Sequence, residues 1–337
     1  MPGRPGFVLP RGFLAALAAC VVGLTPAVAE DGSNRAEAVE ATPSPEEALK
    51  ALRTAPGFQV DLFAAEPLLA NPVAFHVDEK GRFFVVETFR HTDGVTDARN
   101  HMYWLEEDLA ATTVADRVAM YKKHFTPEEF ARFGEEQERI RLIEDRDGDG
   151  RADHATVFAD GFTRHETGIA AGVLARKGDV YFTCIPDLWL LKDLDGDGKA
   201  DERKVLHTGY GVHVGFLGHD LHGLIFGPDG RLYFSIGDRG LNVKTLDGKE
   251  LGELASGSIL RCEPDGTNLE IVATGLRNPQ ELAFNDVGDL FTVDNNSDGG
   301  DKARFIQIVD GGDSGWRIGY QFVDYPNSRG VWNAEKM

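Results

Sequence analysis

Short apolar runs that each follow a glycine turn recur along the chain. Four of them stand at Gly81–Glu87, Gly178–Cys184, Gly230–Ile236 and Gly288–Asp294, and the last three begin 52 and 58 residues apart. Residues 57–63 alternate apolar and polar positions, which is the pattern of a half-buried strand. Repeats of about 40 to 50 residues that contain several short strands indicate a β-propeller. The pattern therefore predicts an all-β protein in which each repeat forms one blade.

One stretch departs from this strand pattern. Residues 103–141 have a helical pattern, with a helix start at Thr126–Glu129 that combines an N-cap, a proline at the first helical position and a glutamate at the third. We therefore expect a helical insertion within an early blade. Blades of this length account for four to five blades over residues 56–337. Because an open sheet edge invites unwanted pairing, the propeller is expected to be either an incomplete ring or a fragment of a longer protein.

The N-terminal residues 1–29 have the pattern of a signal peptide. A basic region, an apolar core and an A-x-A cleavage site follow one another at Arg4 and Arg11, Phe13–Leu24 and Ala27–Ala29. The apolar run is too short for a transmembrane helix, so the pattern predicts an exported protein, periplasmic or on the cell surface, without a membrane span in this chain.

The segment that follows the apolar core leaves one alternative open. Leu17–Cys20 resembles a lipobox, which would leave a lipid anchor on Cys20, but apolar residues continue beyond Cys20 and favour ordinary cleavage. Residues 30–55 are rich in Glu, Ala, Pro and Ser and are typical of a disordered linker, with one short helical piece over residues 45–53.

Charge and cysteine content narrow the function classes. The formal net charge is −20, from 55 acidic and 35 basic residues, and clusters of Lys and Arg are missing, which argues against nucleic-acid binding. Cys184 and Cys262 remain after signal removal, either as a disulfide or as two buried thiols. No C-x-x-C-H motif is present, so this chain carries no c-type haem of its own.

Two acidic glycine loops of the same pattern start 48 residues apart. Each has carboxylates at its positions 1, 3, 5 and 9, namely Asp145, Asp147, Asp149 and Asp153 in the first and Asp193, Asp195, Asp197 and Asp201 in the second. Such oxygen ligands suit Ca²⁺. Position 12 is Thr156 or Lys204 instead of the glutamate of an EF-hand, and a strand-like run follows. We therefore predict two calcium loops on β-turns, the alternative being metal-free surface turns.

Side chains suited to chemistry cluster in the second half of the chain. His213, His219 and His222 fall within ten residues before the Gly230 strand, and each is either a general base or a structural histidine. Asp238 and Arg239 end that strand and are expected to pair with each other, which would fix the loop.

Two further motifs come later. Arg277 and Asn278 stand in Gly275–Glu281, where the arginine either recognises an anion or a quinone oxygen or lies on a surface turn. The loop Asp294–Asp301 either binds a third Ca²⁺ or is a plain polar turn.

Together these motifs resemble the soluble quinoprotein glucose/sorbosone dehydrogenases over about residues 56–325. The phrase His219–Gly240 is more similar still to the large secreted "membrane-bound dehydrogenase" proteins of planctomycetes. The resemblance implies a six-bladed propeller with pyrroloquinoline quinone (PQQ) over its channel. It also implies a histidine that removes the substrate hydroxyl proton and a Ca²⁺ that polarises the quinone carbonyl.

The resemblance also assigns roles to individual residues. The base falls on His219, with His222 as the alternative, and its acidic neighbour falls on Asp220. The Arg-Asn pair that contacts the quinone falls on Arg277 and Asn278, with Arg277 as the oxyanion stabiliser. The calcium-binding carbonyls fall on Asn296 and Ser297. The basic residues that grip the quinone carboxylates would lie beyond Met337. Longer relatives often continue into a cytochrome c domain, which would accept the electrons.

Three hypotheses follow. The first is an exported PQQ-dependent dehydrogenase that oxidises a hydroxyl of a small sugar or alcohol. The second is a non-catalytic, calcium-stabilised propeller that binds carbohydrate or protein. The third is a calcium-dependent lactonase, which would need no quinone.

Overall fold

A computed structural model describes residues 43–91, 93–297 and 301–322. The signal-peptide prediction for residues 1–29 and most of the linker prediction lie outside the described residues. Helix α1, Pro45–Ala51, matches the short helical piece expected near residues 45–53. The strand expected at residues 57–63 is wrong, because none of these residues is in a strand of the structure.

The first two blades are four-stranded antiparallel sheets whose strands follow one another in chain order. Blade 1 contains β1 Pro72–Val77, β2 Phe83–Glu87, β3 Glu138–Glu144 and β4 His154–Phe162. Blade 2 contains β5 Ala170–Arg176, β6 Asp179–Cys184, β7 Asp187–Lys192 and β8 Glu202–Thr208. The pairing runs from the inner strand outward, as in a propeller blade.

Blades 3 and 4 carry the loops of the candidate site. Blade 3 contains β9 Leu221–Phe226 and β10 Leu232–Ile236, then a separate hairpin of β11 Leu241–Lys244 and β12 Glu250–Glu253, then β13 Gly257–Cys262 and β14 Glu270–Leu276. Blade 4 contains β15 Pro279–Phe284, β16 Leu290–Asp294 and β17 Arg304–Ile308. The short β18, Gly312–Asp313, pairs in parallel with β14 and is followed by α5, Gly319–Phe322.

The four glycine-led runs of the sequence are strands, and each is the second strand of its blade: β2, β6, β10 and β16. The inner strands β1, β5, β9 and β15 lie side by side in that order. The described part of the chain therefore forms an all-β, propeller-like arrangement of four blades with few helices. The count of six blades stays a prediction.

The predicted helical insertion lies between β2 and β3. It comprises a 3₁₀ helix, Ala98–Trp104, then α2 Leu105–Ala110, α3 Val114–His124 and α4 Pro127–Arg132. Thr126 caps α4 as expected, through a reciprocal capping box with Glu129. The end of the insertion was predicted too late, because residues 138–144 pair with β2 as strand β3.

The blades are held together by buried apolar side chains between neighbouring sheets. Phe84, Phe158 and Phe182 belong to the cluster of blades 1 and 2, and Leu188 and Phe234 to that of blades 2 and 3. Full burial of one such side chain contributes about 1.5–3 kcal/mol. The blades therefore give a rigid frame for the loops between them.

Cys184 and Cys262 are separate, buried free thiols, so the disulfide alternative is not realised in this structure. No helix in the described residues is both long enough and apolar enough to cross a membrane.

Candidate active site

His219 lies near the end of the loop that joins β8 of blade 2 to β9 of blade 3. Its ring is buried, and Nδ1 lies 2.7 Å from Oδ1 of Asp238. Within the described residues, Nε2 has no hydrogen-bond partner. An ionised carboxylate can only accept, so in the neutral ring Nδ1 carries the proton and Nε2 has the lone pair. His219 is thereby set up as a proton acceptor at Nε2.

Asp238 is held on both of its oxygens. Its Oδ2 accepts a 2.9 Å hydrogen bond from Nε1 of Trp316, and its backbone N–H donates to the carbonyl of Arg277 at 2.8 Å. Burial opposes the charge, but His219, Arg277 and the Trp316 N–H outweigh it and lower the pKa of Asp238 below its ordinary value. The carboxylate beside His219 is therefore ionised at neutral pH.

This pairing corrects two sequence predictions. Asp238 does not pair with Arg239, and Asp220 is not the acidic partner of His219: Nη1 of Arg239 binds Oδ1 of Asp220 at 2.7 Å. The cause is Gly237, where an added Cβ would lie 2.8 Å from Cβ of His219. A residue without a side chain lets the turn after β10 approach the histidine loop, and this brings Asp238 against the ring.

Arg277 and Asn278 form the turn between blades 3 and 4. Their backbone N–H groups donate to the carboxylate of Asp294, at 3.1 and 2.7 Å, and Asp294 also accepts from Arg304 at 2.7 Å. Burial raises the pKa of Asp294 against these hydrogen bonds. The sequence suggests Asp294 only as part of a calcium loop or a polar turn. In the structure its carboxylate fixes the turn at Arg277 and Asn278 (the arginine turn).

The guanidinium of Arg277 is buried, so the surface-turn alternative does not apply. Its Nε donates to Gln321 at 2.7 Å, and its centre lies 5.7 Å from the ring centroids of Phe216 and of Trp316. The side-chain Oδ1 of Asn278 is buried and has no hydrogen-bond partner in the described part of the chain. A buried acceptor without a partner is costly, and a bound group could satisfy it.

The other two histidines differ from His219. His222 lies on β9, its Nε2 is 3.0 Å from the carbonyl of Gly218, and burial lowers its pKa. His213 has a backbone carbonyl near each ring nitrogen, at 2.7 and 2.9 Å. Because both rings are bound to the backbone, the geometry favours His219 over His222 as the base.

The helical insertion holds the histidine loop, which sequence reasoning missed. Asp108 accepts from the N–H of Val214 at 2.9 Å, and Asp97 accepts from the N–H of Leu217 at 3.1 Å. These contacts join segments more than 100 residues apart, so no local sequence signal reveals them. The insertion therefore helps to position His219.

Asn296 and Ser297, the predicted calcium-binding carbonyls, follow β16. The N–H and the hydroxyl of Ser297 donate to the carboxylate of Asp301, the latter at 2.8 Å. Oδ1 of the neighbouring Asn295 is buried and has no hydrogen-bond partner among the described residues. Since β16 ends at Asp294, which binds the arginine turn, the chain brings these oxygens to the region of Arg277.

The two acidic loops lie at the β3–β4 and β7–β8 hairpins. In both, the first aspartate accepts from the N–H groups three and five residues later, at 2.7–3.0 Å. In each loop, oxygens of the first three aspartates lie within 4.8 Å of one another: Asp145, Asp147 and Asp149, and Asp193, Asp195 and Asp197. No Lys or Arg in the described residues forms an ion pair with these six carboxylates. The fourth aspartate, Asp153 or Asp201, accepts instead from the backbone of its own loop.

Each acidic loop also contacts a segment that precedes it in the chain. The N–H of Ala152 donates to the carbonyl of Phe63, and the N–H of Ala200 donates to that of Phe158, both at 2.8 Å. The second loop thus joins blade 2 to blade 1. Both loops are part of the packing and not free hairpin tips.

Over residues 44–309 the chain matches the model of a family described as a domain of unknown function, DUF7133. The chain belongs to this family. No curated protein matches it.

Among solved structures, similar chains include an oxidoreductase described as a glucose dehydrogenase from Thermus thermophilus, with 19% identity and a TM-score of 0.44 over 74% of this chain. The PQQ-bound aldose sugar dehydrogenase from Streptomyces coelicolor has 16% identity and a TM-score of 0.44, again over 74% of this chain. The PQQ domain of a pyranose dehydrogenase from Coprinopsis cinerea has 10% identity and a TM-score of 0.36 over 67% of this chain and 44% of that one. The chain spans 64% and 63% of the length of the first two.

Proposed function

We propose that the chain forms the propeller of an exported, PQQ-dependent dehydrogenase that oxidises a hydroxyl of a small sugar or alcohol. The observation that carries the proposal is the His219–Asp238 pair, which leaves Nε2 of His219 as the proton acceptor. A general base must be neutral and must reach the hydroxyl proton. The ionised Asp238 then stabilises the positive charge that the imidazole gains, as an oriented carboxylate does in other base–acid pairs.

The residues present fit a bound quinone at one side of the site. Asn278 offers a buried oxygen that lacks a partner in the described residues, and Arg277 offers a buried cation whose turn is fixed by Asp294. We assign both residues to hold PQQ, and Arg277 alone to stabilise oxyanion character. Bound PQQ would supply the acceptor for the hydride of the substrate C–H bond. The carbonyls of Asn296 and Ser297 would hold a Ca²⁺ near it.

Two more Ca²⁺ ions are proposed for the acidic loops. Support comes from the three adjacent carboxylates in each loop, which no described Lys or Arg neutralises. Like charges this close repel each other, and a divalent cation with oxygen ligands would offset the repulsion. These ions would be structural, because each loop packs on the preceding element and not at His219.

The sequence resemblance supports the remaining parts of the proposal. The resemblance to planctomycete-type secreted proteins favours export, and a cytochrome c, either in the same protein or separate, would take the electrons. Neither a nucleic acid nor a membrane span belongs to the proposal.

The test is a titration of the mature, Ca²⁺-loaded chain with PQQ, followed by the quinone absorbance. We expect saturable one-to-one binding that is lost in Arg277→Ala and kept in Arg146→Ala, an exposed arginine of the first acidic loop. Activity is then measured with an artificial electron acceptor and a panel of sugars and alcohols.

Two outcomes would replace the proposal. Intact, calcium-dependent folding without PQQ binding would indicate a binding propeller for carbohydrate or protein. Hydrolysis of a lactone without any quinone would indicate the lactonase.

A further inference from the structure

A cavity of about 160 Å³ opens between blades 1 and 2. One wall is the end of β4 and the loop that follows it, with Phe162 and Arg164, and the opposite wall is β7, with Asp187 and Trp189. Arg203 of β8 also lines the cavity. None of these residues belongs to the candidate active site.

The apolar walls are aromatic. The rings of Phe162 and Trp189 meet edge to face with centroids 5.4 Å apart, and Trp189 is half-buried. Its indole N–H makes no hydrogen bond within the described residues. Arg203 lies over the Phe162 ring at 5.7 Å, and its Nη1 donates to the carbonyl of Asp160. The cavity thus offers aromatic ring surface, and Trp189 carries an indole donor that has no partner in the described residues.

The polar side chains that line the cavity carry both positive and negative charge. Arg164 forms an ion pair with the buried carboxylate of Asp187, and Thr167 also lines the cavity. A small anion would meet the carboxylate of Asp187, and a cation would meet the two guanidinium groups. A neutral ring with several hydroxyls can use donors, acceptors and an aromatic wall together, so the lining favours a sugar.

Hydrogen bonds within the protein fix the cavity wall that follows β4. Two buried arginines donate to its backbone carbonyls: Arg90 to those of Arg164 and Thr167, at 3.2 and 2.9 Å, and Arg117 to that of Glu166, at 3.0 Å. A preformed wall lowers the entropic cost of binding.

The same loop reaches the candidate active site. Gly168 follows Thr167, and a Cβ added there would lie 2.8 Å from Oδ1 of Asp220, the residue after His219. The loop after β4 and the loop after β8 are equivalent connections between successive blades, so they lie on the same face of the sheets. A sugar chain on this face could therefore reach both sites.

We infer that the Trp189 cavity is a sugar subsite that binds one ring of an oligosaccharide. The second part of the inference rests on the proposed function: another ring of the same chain is the one presented to His219. The substrate class is then a short oligosaccharide and not a free monosaccharide.

The test is isothermal titration calorimetry on the chain without quinone, with glucose, maltotetraose and cellotetraose as probes. We expect one tetrasaccharide to bind saturably and more tightly than glucose. Trp189→Ala should weaken its binding about tenfold, because both the ring and the donor are lost. Phe305→Ala, at an exposed aromatic residue of blade 4, should leave it unchanged.

Trp189→Phe keeps an aromatic wall without the N–H and is expected to lose affinity several-fold. If circular dichroism shows that Trp189→Ala does not fold, the affinity of Trp189→Phe tests the subsite instead. Equal affinity in a folded Trp189 variant, or no binding of any probe, overturns the subsite. The PQQ titration is run on the same samples, so PQQ binding without sugar binding overturns this inference alone. Sugar binding without PQQ binding overturns the proposed function and the second part of this inference, but not the subsite.

Discussion

The His219–Asp238 pair and the two acidic loops use the same side chain, aspartate, in opposite surroundings. Asp238 is buried and contacts a histidine ring and an indole N–H, which offset the cost of burying its charge. The loop aspartates are largely exposed, and they crowd against one another without a basic partner in the described part of the chain. Protein groups thus fix the buried carboxylate, whereas for the exposed ones we propose a cation from solution.

The largest effect is expected from Asp238→Asn. The amide no longer requires a proton on Nδ1 of His219, so the lone pair at Nε2 is lost in part of the molecules. A comparable substitution in a serine protease triad lowers kcat about 10⁴-fold, and we expect a loss on the order of 10³-fold or more in PQQ-dependent turnover. Steady-state kinetics with an artificial acceptor measure it.

The control for this substitution is Asp286→Asn, which removes one charge at an exposed turn of blade 4. It should leave turnover unchanged. A drop of less than about tenfold in Asp238→Asn would contradict the role assigned to the pair, provided that the variant melts at the temperature of the wild type in the absence of substrate.

Calcium removal is expected to have the next largest effect, and on stability. A ligand at 100 times its dissociation constant stabilises the folded state by about 2.7 kcal/mol per site. Chelation should therefore lower the free energy of unfolding by several kcal/mol, as measured by urea denaturation. Asp193→Asn should remove one site's share, and Asp286→Asn none. Equal unfolding curves with and without Ca²⁺ would show that the loops are metal-free turns.

The difference between local and long-range contacts explains which features the sequence could predict. The acidic loops, the capping box at Thr126 and the glycine-led strands β2, β6, β10 and β16 all depend on neighbours a few residues away, and all have the expected local structure. The strand expected at residues 57–63 failed because a strand needs a partner from elsewhere in the chain.

The partner of His219 could not be predicted in this way. Asp238 is 19 residues away, and the approach depends on Gly237, whose missing side chain is a signal only once two loops are known to meet. The contacts of Asp97 and Asp108 with the histidine loop span more than 100 residues. Such pairings arise from the packing of blades and insertion, not from local propensity.

The smallest effect is expected at the contact between the insertion and the histidine loop. Asp97→Ala removes the acceptor for the Leu217 N–H and the cap of the 3₁₀ helix, which together should cost about 1–2 kcal/mol of stability. The ion pair with Arg99 adds little, because Arg99 is exposed. Asp97→Asn keeps a capping oxygen and should recover most of the loss.

The pH dependence of this effect has a definite sign. Burial opposes the charge of Asp97, but hydrogen bonds from Arg99 and Leu217 lower its pKa in the folded state. The stability contribution is therefore present above the ordinary pKa of about 3.9 and is lost as the pH falls through the folded-state value. Urea denaturation of wild type and Asp97→Ala should differ at pH ~7 and converge in acid. A difference that stays constant down to pH ~2 would mean that the carboxylate charge plays no part in holding the loop of His219.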